Sequence, residues 1–370
     1  MAPTDRLALV FSGGGAKGAF GVGVLCHFVA AYPQLRWHVV AGTSTGALIA
    51  PLAALGATDR GAIGAVRDMY LAARQKRIIR SNFSFPTILK AVVDLPEGVY
   101  NFGPLKELVK ETMDEARLAQ LAASDVACIL NAVNLQSGNL VLCTQDSHRP
   151  RIEKWFAERG DAQVEFLGYD RFRRAMRASS AVPAAVDPLG EDNVTTGVRE
   201  QLVDGGVLDI APLRAAIAAG ATHVIAVLMS PRKSIADPKY RDNLLQVATR
   251  SVDLLTDEIL RNDVETAELV TRLHELALLL ASSNAPLPAW LEKYRARVPL
   301  ELATVEPPLP LGDTFDFDAD KRKGWPDEPA DDGEKVNIMR ARMECGERTA
   351  AKAIAAKPEL KAILERFAGG

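Results

Sequence analysis

LALVFSGGGAKGAFGVGVL, Leu7–Leu25, decides how the rest of the chain is read. Leu7–Phe11 is short, apolar and closed by glycines, the pattern of a strand buried on both faces. Gly13, Gly14, Gly15 and Gly18 then lead into a small-residue helix, Ala19–Ala31. A glycine-rich turn between strand and helix points bare backbone N–H groups at something negative. Trp37–Ala41 reads as a second strand and Ala47–Leu55 as a second helix. Two successive strand–turn–helix units imply parallel strands in an α/β layered fold.

What the first turn holds is decided by elimination. A phosphate-binding P-loop needs Gly-Lys followed by Ser or Thr, and here Lys17 precedes Gly18. Gly13, Gly15 and Gly18 do satisfy the dinucleotide spacing, but that motif needs an acidic residue about 20 positions on. No Asp or Glu occurs between Asp5 and Asp59. The second strand ends instead in Gly42-Thr43-Ser44-Thr45-Gly46, a G-x-S-x-G between strand and helix, which is the context of a nucleophile elbow. In a parallel sheet both turns open at one edge. The Gly13–Gly15 amides therefore face Ser44 and would hold the oxyanion of a tetrahedral intermediate.

A serine nucleophile needs a base. His27 falls within the first helix, His38 in the second strand and His148 after a hairpin. His223 opens the strand Val224–Met229 on the wrong edge, and His274 is mid-helix. A carboxylate fits better: Leu202-Val203-Asp204-Gly205-Gly206 places Asp204 after a short apolar strand and before two glycines. Asp187 and Asp209 lack that context. In a partly dry cleft Asp204 would ionise less readily and accept a proton better than an ordinary aspartate.

These blocks together resemble the patatin-like phospholipase family. G-G-G-x-K-G stands at Gly13–Gly18, G-x-S-x-G at Gly42–Gly46, D-G-G at Asp204–Gly206 and A-S-x-A-x-P at Ala178–Pro183. Where many members carry an asparagine before the proline that follows D-G-G, this chain has Ile210. The resemblance implies a three-layer α/β/α fold with a mainly parallel central sheet. It implies a serine lipid acyl hydrolase of phospholipase A or lysophospholipase type, working through a Ser44–Asp204 dyad without histidine, metal or cofactor. Gly13, Gly14 and Gly15 would form the oxyanion hole, with the N–H groups of Gly14 and Gly15 as its donors. Lys17 either contacts the lipid headgroup or shapes the loop. A thioesterase or acyltransferase would use the same dyad, and a non-catalytic lipid-binding protein is a remoter reading.

At 370 residues and a net charge of −3, nothing global points to nucleic acid. The four cysteines (Cys26, Cys128, Cys143, Cys345) form no metal or disulfide spacing and suit a reducing compartment. The start leads directly into a strand, and no apolar run reaches the roughly 18–20 residues of a membrane span. The expected location is the cytoplasm, peripheral at a membrane, with substrate met at a membrane or micelle surface. Residues 1–230 read as the catalytic core and 231–370 as a mainly helical C-terminal part packed on the same domain. Pro238–Ala281 has the spacing of one or two long helices and Val336–Ala356 that of a final helix. Ser81–Asn101 and the proline- and aspartate-rich Glu306–Lys335 read as irregular, the latter as a surface loop. Ala73–Pro86 mixes Arg74, Lys76, Arg77 and Arg80 with Phe83 and Phe85, a composition suited to anionic lipid.

Overall fold

Leu7–Phe11 are fully buried, and their side chains divide by parity. Leu7, Leu9 and Phe11 enter one hydrophobic core, Ala8 and Val10 another. Because successive strand residues point to opposite faces, a strand feeding two cores must be the middle layer of three. The computed structural model describes residues 5–369, except 79, 82–99, 102, 161–162, 184, 193–198, 234, 237–239, 243, 284–286, 296–299, 323 and 327–333. Phe83 and Phe85 lie outside the described residues.

The strands of the main sheet, in chain order, are β1 (Leu7–Phe11), β2 (Val39–Gly42), β3 (Ala127–Asn134), β4 (Leu140–Cys143), β5 (Val164–Leu167), β6 (Leu189–Asp192), β7 (Arg199–Asp204), β8 (His223–Val227) and β9 (Glu301–Val305). Their spatial order is β9-β8-β1-β2-β3-β4-β5, with β7 pairing β3 and β6 off that path. The β9/β8, β8/β1, β1/β2, β2/β3 and β4/β5 pairs are parallel. The β3/β4, β3/β7 and β6/β7 pairs are antiparallel. The β3/β4 hairpin brackets Leu135–Asn139. The fold is α/β with a mostly parallel sheet.

On one face lie α1 (Gly18–Ala31) and α2 (Thr45–Leu55); on the other lies α3 (Leu213–Ala218). The segment expected to hold one or two helices is a single 39-residue helix, α4 (Leu244–Ser282), whose Leu260 and Val264 enter the α3-side core. The final region is α5 (Ile338–Ala356), preceded by a short strand Lys335–Asn337, then α6 (Pro358–Ala368), opened by a proline at its first turn. α5 packs on α1 so closely that a Cβ at Gly23 would stand 2.0 Å from the Met343 carbonyl oxygen. The region after residue 300 thus supplies an edge strand of the main sheet and a helix of one outer layer.

Glu306–Lys335 departs from the surface loop expected of it. Arg342 of α5 has no exposed surface and donates Nε to Leu311 O (2.9 Å), Nη1 to Asp316 O (2.6 Å) and Nη2 to Asp313 O (3.0 Å). Those three carbonyls clamp the start of the loop against the body of the protein. Burial pulls the guanidinium down to about 10, and Asp316 and Asp313 oppose the fall.

Candidate active site

The long strand β3 acts as a ruler. β2 runs beside its first half and ends with Gly42 opposite Leu130. β7 approaches along the same side from the other direction and ends with Asp204 opposite Ala132. Two residues of strand, roughly 7 Å, therefore separate the ends of two strands that meet head-on. Asp204 is the last residue of an antiparallel strand, and it reaches the edge where the parallel strands end because β7 stops where β2 does.

Ser44 sits in the turn that leaves β2. Its φ of 56° and ψ of −121° make it the one non-glycine residue with positive φ among the described residues. Such strain persists only where the surroundings impose it. Here they do. A Cβ on Gly42 would stand 2.2 Å from Gly46 O, and one on Gly46 would stand 2.1 Å from Phe11 O. No other residue fits either place. The Ser44 N–H donates to Ser179 Oγ (2.9 Å), and its carbonyl accepts from Ser180 Oγ (3.3 Å) and the Ala47 N–H (2.9 Å). Ala181 O accepts the N–H of Asp204 (2.9 Å). The A-S-x-A-x-P block thus holds the backbones of both candidate residues, a role its sequence alone does not disclose.

Asp204 is 4% exposed. Its Oδ1 accepts the Gly206 N–H (2.7 Å), while Oδ2 is buried with no hydrogen-bond partner of ordinary geometry. Burial raises its pKa to about 7; the nearby Ser44 hydroxyl and the Gly206 N–H pull the other way without offsetting it. A carboxylate poised near neutrality, with one oxygen free, has the properties of a proton acceptor.

The glycine loop lies opposite. The Gly13 N–H is spent on Ile210 O (3.0 Å), which removes it from the expected set of three oxyanion groups. The Ala16 N–H is spent on Thr314 O (2.8 Å). Among the described residues the N–H groups of Gly14 and Gly15 have no acceptor. Gly15 has φ 56°, a conformation open to glycine. Lys17 turns inward: it is 7% exposed, and its Nζ donates to Ser230 Oγ (3.2 Å) and pairs with Asp253 (3.8 Å). That geometry matches the loop-shaping alternative.

Two cavities meet at Ser44. One is lined by Gly13–Gly15, Asp204, Asp253, Asp257 and Thr256 together with Val182, Val207, Ile210, Val252 and Leu260. The other, about 590 Å³ with part open to solvent, is apolar and contains Leu48, Met69, Leu105, Leu108, Phe315 and Phe317. Four of the five histidines are engaged elsewhere: His38 accepts the Leu7 N–H, and ring nitrogens of His148 and His274 meet the carbonyls of Ser124 and Tyr294. His223 faces Thr222 and Glu301, and no histidine lines either cavity. Asp187 and Asp209 line neither cavity; the Asp209 carbonyl accepts from Thr43 Oγ1 (3.0 Å) and Asn131 Nδ2 (2.9 Å). Sequence reasoning missed Thr314, Phe315, Phe317 and Asp253, which line the two cavities from segments far from the motifs. The alternation of Phe315 and Phe317 within an acidic run was the one local signal of an inward-facing stretch.

The sequence pattern of the Patatin-like phospholipase family matches residues 9–217. The chain belongs to that family, whose members are lipid acyl hydrolases. Among solved structures, the crystal structure of VipD from Legionella pneumophila is similar at 12% identity and a TM-score of 0.39, covering 96% of this chain and 67% of that one. No curated protein matches the chain in sequence. Among the described residues no helix is long and apolar enough to cross a membrane.

Proposed function

We propose that the protein hydrolyses fatty-acyl esters of glycerolipids, as a phospholipase A or lysophospholipase, with Ser44 as nucleophile and Asp204 as base. The observation that carries this reading is the partnerless Oδ2 of Asp204, buried in the same cavity as the strained Ser44 and the unengaged amides of Gly14 and Gly15. Ser44 Oγ attacks the acyl carbonyl while its proton passes to Asp204. The carbonyl oxygen, now negative, is held by the Gly14 and Gly15 N–H groups and by the N-terminus of α2. Collapse of the tetrahedral species breaks the ester bond, and Asp204 returns the proton to the departing alcohol. Water then attacks the acyl-enzyme, Asp204 takes its proton, and the fatty acid leaves as Ser44 is regenerated. The cavity lined by Leu48, Leu105, Leu108, Phe315 and Phe317 suits the acyl chain.

Substrate is met at a membrane or micelle surface. Ile78 lines the apolar cavity, and the exposed Arg74, Lys76 and Arg77 directly precede it, which supports lipid entry beside a basic rim. The test is a fluorophosphonate probe together with a panel of phospholipids, lysophospholipids, triacylglycerols and acyl-CoAs. Wild type is expected to label once and to release fatty acid from phospholipid or lysophospholipid. Ser44→Ala is expected to do neither. Labelling of the Ala variant at another serine, or turnover of acyl-CoA alone, refutes the reading.

A further inference from the structure

The helix α4 lies entirely beyond residues 9–217, the span matched by the family. Two of its aspartates nevertheless reach the glycine loop, one at each end. Asp263 Oδ2 accepts the N–H groups of Ile210 (3.2 Å) and Ala211 (3.1 Å), and Ile210 O in turn accepts the Gly13 N–H (3.0 Å). Ten residues earlier, Asp253 pairs with Lys17 (3.8 Å) and accepts the hydroxyl of Thr314, whose carbonyl accepts the Ala16 N–H (2.8 Å). Each chain of bonds runs from a carboxylate on one rigid helix to an amide flanking Gly14 and Gly15.

We infer that Asp253 and Asp263 are positioning residues that fix where the Gly14 and Gly15 N–H groups point, so that α4 sets the geometry of the oxyanion hole. The physics favours this over mere docking of a helix. Carboxylates accepting N–H or O–H donors make stronger and more directional bonds than neutral acceptors. Glycines have no side chains to hold a loop in place, so the loop's orientation must come from its flanks. The loop bearing Ile210 also carries Asp209, whose carbonyl accepts from Thr43 Oγ1, the residue before Ser44. Asp263 therefore supports the segment that touches both the donor loop and the elbow. This inference rests on the proposed roles of Ser44, Gly14 and Gly15.

The test compares a soluble oxygen ester with the corresponding thionoester, whose sulfur accepts hydrogen bonds poorly and gains little from an oxyanion hole. In Asp263→Ala and Asp253→Ala, kcat on the oxygen ester is expected to fall about 10- to 100-fold with KM hardly moved. The thionoester rate should fall far less, so the preference for oxygen over sulfur collapses. A general loosening of the fold would lower both rates together. Where an alanine variant does not fold, Asp263→Asn and Asp253→Asn, which keep an oxygen in place and remove the charge, carry the same comparison. Folded variants with an unchanged oxygen-to-sulfur preference overturn the inference. If Ser44→Ala itself retains hydrolysis, the reading of the site fails instead, and the two failures are distinct.

Discussion

Replacing Asp204 with Asn separates what the carboxylate does for chemistry from what it does to stability. Asn keeps the shape and an oxygen to accept the Gly206 N–H, but it cannot take the serine proton. Hydrolysis of a soluble ester should fall by about 10²–10⁴-fold, the usual loss of a general base. In wild type, kcat/KM should climb about tenfold per pH unit on the acid side and level off above about 7, where Asp204 is ionised. Stability should move the other way. The folded carboxyl keeps its proton up to about 7, whereas the unfolded chain releases it near 3.8. Between those values the native state binds more protons, so wild-type stability falls as pH rises and the loss is complete above about 7. The gap corresponds to about 4 kcal/mol at most, by the linkage of about 1.4 kcal/mol to each pH unit. Urea unfolding at pH 4.5 and pH 8.5 reads it. The Asn variant should be the more stable protein at pH 8.5, with the difference shrinking towards pH 4. Because Asp209 and Asp263 also titrate high, the difference between the two proteins is the informative quantity. An Asn variant of unchanged activity, or one whose stability tracks wild type at every pH, would refute the reasoning.

Three further outcomes follow from the site. Leu108→Trp places a large ring in the apolar cavity, so release of long-chain fatty acid should fall at least tenfold relative to a butyryl ester; equal rates across chain lengths would remove that cavity from acyl binding. Lys76→Glu with Arg77→Glu should weaken binding to anionic vesicles severalfold while sparing a short soluble ester, and parallel loss on both would point to a folding role. Each histidine changed singly to Gln should leave well over a tenth of the activity. A folded His148 or His223 variant as inactive as Asp204→Asn would mean the proton goes to imidazole.

Local geometry was the part of the site open to sequence reasoning. The G-x-S-x-G turn announces itself because Gly42 and Gly46 are the only residues that fit against Gly46 O and Phe11 O, and those contacts lie within one or two elements. The Asp-Gly-Gly segment is equally local. What escaped depended on pairings between distant segments. Which glycine amide is spent is decided by Ile210, 197 residues after Gly13. That Asp204 ends an antiparallel strand is decided by β3, which pairs with β2 and β7 on one side. Thr314, Phe315 and Phe317 sit in a proline- and aspartate-rich stretch whose composition reads as solvated. Arg342, buried in a helix that begins 21 residues beyond Phe317, draws the segment inward together with the bonds from Thr314 to Ala16 and Asp253. Lys17 gave two readings because a loop lysine can serve ligand or loop, and its partner Asp253 lies 236 residues away.

The parity of β1, the first strand of the chain, carries a consequence for biosynthesis. β1 is central, yet its neighbour β8 pairs with it across 216 residues, Leu7 opposite His223. When Gly13–Gly46 leaves the ribosome the elbow sequence is present, but neither Asp204 nor Ile210 yet exists to complete it, and Thr314 follows much later. Sheets closed by such distant pairings form slowly, because the entropy of closing the loop is lost before the contacts are gained. Regain of the proposed ester hydrolysis after dilution from urea should therefore report the last pairings of the sheet to form, and a chain ending before Thr314 should lack the carbonyl that holds the Ala16 N–H.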